Sequence, residues 1–193
     1  MKMKKIVATG SALALTAAVA VGGTLAWLQD QTKSITNTFT VGNVDITLTE
    51  EKFGGDGPAL DAENVAQSQT YKVAPGTKVT KAADVTVKNG SEDCYLFVKV
   101  VKGNTFDTNF DAITMAEGWT ALTGVDGVYW RTVAADADVK SFPVLKDDKL
   151  TVKTTATNTT IDGDTTLTFQ AYAIQTDGLE SENAAWTALG VQG

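Results

Sequence analysis

Histidine is missing from the 193 residues, cysteine occurs once and proline three times. Without an imidazole there is no Ser-His-Asp or Cys-His arrangement, no HExxH zinc helix and no histidine base near neutral pH. Cys94 stands alone, which excludes an intramolecular disulfide and a cysteine-based zinc site. Positive charge is short as well: 16 Lys+Arg face 23 Asp+Glu, a formal net charge of −7. That balance argues against nucleic acid as a partner, because phosphate backbones are held by clustered Lys and Arg. These absences point away from an enzyme, and no residue set calls for a cofactor or a metal. The length accommodates one domain, or at most two small ones.

What is present divides into an unusual N-terminus and a long β-patterned remainder. Lys2, Lys4 and Lys5 precede an uncharged stretch over residues 6–28, and the first acidic residue is Asp30. Small residues, Thr24 and Ala26, stand at both positions that a signal peptidase inspects, which is the plan of a secretory signal over residues 1–26. The cut is expected between Ala26 and Trp27. The competing reading is an uncleaved anchor helix, the sole expected membrane attachment, since an uncharged run of this length nearly spans a bilayer. Removing residues 1–26 takes away three lysines and no acid, leaving 13 basic against 23 acidic residues, a charge of −10. Such a protein is expected outside the cell, where its stability must come from packing and sheet hydrogen bonds.

The rest is rich in Thr and Val, a composition suited to strands. Apolar residues fall on odd positions over residues 35–41, then on even ones at Val44, Ile46 and Leu48. A one-residue phase change at Gly42-Asn43 implies a bulge or a corner. Residues 51–69 read as a surface loop, and Pro75-Gly76 as a turn. Residues 79–87 read as one strand region, closed by a hairpin-like turn at residues 89–93. Residues 94–101 are nearly continuously apolar, as in a central strand buried on both faces. Cys94 at its start reads as a small buried residue. Between residues 104 and 118 the mixed pattern allows a short helix or an irregular crossover. Further strands are expected at residues 128–133 and 167–175, with short edge pieces near Pro143 and Leu150. A closing helix over residues 182–189 has Ser181 to cap it and Gly190 to stop it. Seven or eight strands at this spacing imply an all-β, antiparallel two-sheet sandwich or jelly roll with a short C-terminal helix.

The run Gly22-Gly23-Thr24-Leu25-Ala26-Trp27-Leu28-Gln29-Asp30, followed by Asn37-Thr38-Phe39-Thr40-Val41-Gly42-Asn43-Val44-Asp45-Ile46, resembles the TasA/CotN/camelysin-type secreted proteins. Val73-Ala74-Pro75-Gly76-Thr77, Tyr95-Leu96-Phe97-Val98-Lys99-Val100 and Ala171-Tyr172-Ala173-Ile174-Gln175 with Ala185-Trp186 are similar to later segments of the same pattern. The resemblance implies a jelly-roll-like domain over residues 36–193, cut from its signal after Ala26 by a SipW-type peptidase. It implies self-association into cell-surface or biofilm-matrix fibres, with residues 27–35 as a donor strand bearing Trp27, Leu28 and Ile35. Two large apolar residues at a new N-terminus have no local partner, and adding a strand to a neighbour's edge would bury them. Folding back onto the same domain would do so equally. The camelysin branch carries a metalloprotease activity, which a chain without histidine does not support.

Other groupings carry weaker chemistry. The acidic pairs Asp136/Asp138, Asp147-Asp148 and Asp162/Asp164 suggest calcium, but no DxDxDG loop with a closing Glu accompanies them. They read as turn residues. Trp119, Trp130, Trp186 and Tyr129 would serve a monomeric surface module that stacks on glycan or grips a host ligand, the alternative to a fibre subunit. Aromatic residues alternating within strands are more often core.

Overall fold

The computed structural model describes residues 29–32, 43–51, 60–61 and 68–191. Among the described residues, eleven strands, every pairing antiparallel, make up most of the regular secondary structure. In chain order they are β1 (Gln29–Thr32), β2 (Ile46–Glu50), β3 (Leu60–Asp61), β4 (Lys78–Thr80), β5 (Ala83–Val87), β6 (Cys94–Lys102), β7 (Thr120–Ala121), β8 (Val128–Val133), β9 (Ser141–Pro143), β10 (Lys149–Thr151) and β11 (Leu167–Gln175). Two short helices, α1 (Phe106–Asn109) and α2 (Glu182–Ala188), and a 3-10 turn at Lys146–Asp148 accompany them among the described residues. The chain is all-β, as its composition led one to expect.

One sheet has five strands in the order β1-β11-β6-β8-β7, another four in the order β3-β2-β5-β9, and β10 pairs separately with β4. Strand pleat decides what each face buries, because successive side chains point to opposite sides. Leu96 and Val98 of β6, and Phe169, Ala171 and Ala173 of β11, enter one buried cluster. Ile46, Leu48, Val85, Val87 and Phe142 enter the same cluster from the four-stranded sheet. On the other side of the five-stranded sheet, Phe97, Tyr172 and Ile174 form a second cluster with Ala185, Trp186 and Leu189 of the α2 segment. Strands β6 and β11 are therefore covered on both faces, which explains the unbroken apolar run of residues 94–98.

Helix α2 forms where its end signals lie. Ser181 accepts a hydrogen bond from the backbone N–H of Ala184, and Gly190 takes a positive φ of 64° just beyond the helix. Trp186 packs edge-on against Tyr172 at 5.5 Å and tilted against Phe97 at 5.3 Å. Ser181→Ala is expected to cost about 1 kcal/mol by removing the cap, read as a shifted midpoint in urea. A loss below about 0.3 kcal/mol would show that packing alone sets the helix start.

Several expectations need correction. Residues 79–87 are not one strand, since the partner changes from β10 to β2 and β9 at Lys81 and Ala82. The side-chain phase continues unbroken through Val79, Lys81, Ala83, Val85 and Val87, all buried. Alternation alone therefore hid the break. Residues 89–93 do not close a hairpin either; they carry the chain from β5 in one sheet to β6 in the other. Buried Ser91 fixes that crossing, accepting from the N–H of Asp45 at 3.1 Å, while Glu92 N–H donates to the Asn43 carbonyl at 2.9 Å. The stretch read as a loop over residues 51–69 contains β3, paired with Thr49 and Glu50. The strand expected over residues 35–41, and its phase change at Gly42, lie outside the described residues.

Candidate functional site

The segment read from the sequence as a donor strand lies, in its described part, at one edge of the five-stranded sheet. Strand β1 lies there, registered Gln29↔Ile174, Asp30↔Ala173, Gln31↔Tyr172 and Thr32↔Ala171. In this single chain, the described part of the segment thus pairs with its own domain. Strand β11 runs on to Leu167, and on the β6 side its pairing continues to Leu167↔Lys102. On the β1 side, residues 167–170 have no strand partner among the described residues. Of the residues marked for processing and donation, Thr24, Ala26, Trp27, Leu28 and Ile35 all lie outside the described residues.

Beside residues 167–170 of β11 is a cavity of about 550 Å³, bounded by Leu48, Val79, Phe106, Phe110, Leu150 and Phe169. Phe106 and Phe110 stack flat, 4.8 Å apart, at its floor. The cavity's polar corner was not anticipated from the sequence. Lys81 Nζ donates to Glu50 Oε2 at 2.6 Å and lies 5.2 Å from the ring centres of both Tyr71 and Phe169. Glu50 Oε1 accepts from the Tyr71 hydroxyl at 2.7 Å and from the Gln69 amide. Burial pushes the Glu50 carboxyl up, but the Lys81 charge and the hydrogen bonds from Lys81, Gln69 and Tyr71 outweigh it. The net effect is downward. Burial, and then the carboxylate it touches, push the Tyr71 phenol up, so it stays protonated. The signal for this cluster was Lys81 itself, a charge standing in phase with a buried apolar row.

The other singled-out residues serve the scaffold. Cys94 is fully buried, and burial with the charge of Asp93 pushes its thiol up to about 12, opposite to what a nucleophile needs. Asp162 accepts from the hydroxyls of Thr105 and Thr165 and from the N–H of Asp164, fastening a loop. The Thr105 hydroxyl leads the set that holds its carboxyl below the ordinary range. Asp147 and Asp148 take positive φ values of 55° and 53° in a tight turn. Burial, then the charge of Asp148, raise Asp84 across from it. Among the described residues no three His, Cys, Asp or Glu side chains gather to hold a metal ion. The four aromatic residues do not form one platform. Trp119 packs against the core between the sheets, whereas Trp130 and Trp186 belong to the cluster under α2.

No described helix is long and apolar enough to cross a membrane. Comparison with known protein families, with curated proteins and with solved structures returns no match.

Proposed function

We propose that the chain is an exported structural subunit of cell-surface or matrix fibres. In this reading the two sheets form a jelly-roll-like sandwich, a SipW-type peptidase cuts after Ala26, and the freed N-terminal segment completes the sheet of the next subunit. The observation that carries it is the position of β1. It is a four-residue edge strand, entering just after the proposed cut, beside a β11 whose pairing with β6 is longer than its described pairing with β1. An edge whose described pairing spans four residues exchanges at modest cost, and an incoming strand of a second copy makes the same backbone bonds. The acidic surface supports the reading too: a net charge of −10 after cleavage keeps subunits apart and soluble until the strand is freed.

The test is electron microscopy of the secreted protein after its N-terminus has been identified by mass spectrometry. Chains beginning at Trp27 are expected to form filaments of one repeating width. Persistent monomers under every assembly condition, with residues 27–35 intact, would overturn the proposal.

A further inference from the structure

On the opposite side of the fold, Arg131 of β8 stands in the five-stranded sheet across from Leu96, on the face that meets the core. Its guanidinium carbon lies 3.8 Å from the ring centre of Phe142 in β9 and 5.4 Å from that of Trp119, just before β7. Strands β7 and β9 are the outermost strands of their respective sheets, so the stack spans the seam between the two. Trp119 Nε1–H donates to the Pro143 carbonyl at 2.8 Å and ties the seam together. Gly118 lies so close that a Cβ there would stand 2.8 Å from Arg131 Nη2, and its φ is +88°. The positive φ favours glycine there, and any larger residue would also press on the guanidinium.

This guanidinium has no carboxylate or other protein acceptor among the described residues. Nε is buried without a partner, whereas the terminal nitrogens also lack an acceptor but are not closed off from water. Burial lowers the Arg131 pKa, with no neighbouring charge to offset it. A structural arginine in a protein with 23 acidic residues would ordinarily meet one of them.

The geometry points to a binding site for the carboxylate of an acidic sugar, a hexuronate unit, on Arg131 at this seam. A planar fork fixed by two aromatic rings is already ordered to grip a carboxylate through two parallel hydrogen bonds. Trp119, packed against the core but still partly exposed, adds apolar surface beside the fork for the C–H face that a sugar ring carries next to its carboxylate. An aspartate or glutamate side chain of a protein partner offers no such face. The site is remote from the β1 edge and does not depend on fibre formation.

The test titrates the full chain with trigalacturonate, with neutral galactotriose and with hexaglutamate, followed by calorimetry. Trigalacturonate is expected to bind, with galactotriose weaker by about tenfold or more, and Arg131→Gln to weaken trigalacturonate by a similar factor. Should Arg131→Gln fail to fold by circular dichroism, Arg131→Lys decides, since it keeps the charge and loses the fork; a loss of about threefold or more is expected. Three results would each overturn the proposal. They are no trigalacturonate binding up to about 10 mM, hexaglutamate binding as tightly as trigalacturonate, and full affinity in the folded Arg131 variants.

Discussion

Glu50→Ala is expected to destabilise the domain by about 3 to 5 kcal/mol, because it strands a buried ammonium. The Lys81 side chain is only 7% exposed and Glu50 is 18% exposed. The aromatic faces of Tyr71 and Phe169 attract the ammonium, but at 5.2 Å they replace only part of what a carboxylate supplies. Lys81→Met should cost less, since it removes the group that needs a partner and leaves Glu50 with the Tyr71 and Gln69 donors. The two substitutions together should cost less than their sum, as residues in one network couple. Urea unfolding of the two single variants and the double variant measures this. A Glu50→Ala loss below about 1 kcal/mol would mean that water reaches the ammonium freely.

The same pair sets a pH dependence whose sign is fixed. Glu50 has a lower pKa folded than unfolded, so its contribution is present above the ordinary carboxylate range and is lost as pH falls through the folded value. Asp84 and Asp148 are raised, so protonating them on acidification stabilises the fold and opposes that loss. Glu50→Ala should therefore flatten the acid limb of the stability curve. Raising Tyr71 acts at the alkaline end: the unfolded phenol ionises first, so stability falls as pH rises beyond its ordinary value.

Much of the fold was legible because local chemistry and burial agree. Residues 94–98 announce a strand covered on both faces by lacking polar alternation, and helix α2 by Ser181, its apolar spacing and Gly190. The switch at Lys81 and Ala82 was hidden because the odd-numbered phase never breaks; the partner changes, and partners lie far away in sequence. The crossing at residues 89–93 looked like a hairpin because Asn89-Gly90 turns the chain either way. What sends it to the other sheet is Ser91 meeting Asp45, 46 residues distant. The two inward-facing cations were visible as residues, buried Lys81 and partly buried Arg131, each in phase with an inward row. Their difference was not visible, because only tertiary packing gives Lys81 a carboxylate from β2 and gives Arg131 two rings and no acid. That contrast separates a charge that holds the fold from one available to a ligand.

Deleting residues 27–35 is expected to leave a folded chain that does not polymerise. The described backbone bonds lost are those of one short edge ladder, Gln29–Thr32 against 171–174, about 2 kcal/mol at ordinary net values. The core beneath does not depend on that ladder: Ala171, Ala173 and Ile174 are fully buried, with β6 pairing their other side and α2 or the second sheet covering their faces. The truncated protein should therefore melt a few degrees lower with an unchanged far-ultraviolet spectrum. It should also expose a vacant acceptor edge with no strand to donate. A synthetic peptide of residues 27–35 should then bind it and raise the midpoint with concentration, as any ligand of the native state does. Mixed with intact subunits, the truncated chain should cap growing filaments, because it accepts a strand and passes none on. Filaments of normal length from the truncated chain alone would remove strand exchange as the mechanism. A truncated chain that stays monomeric but ignores the peptide would place the assembly contact elsewhere on the N-terminal segment than the β11 edge.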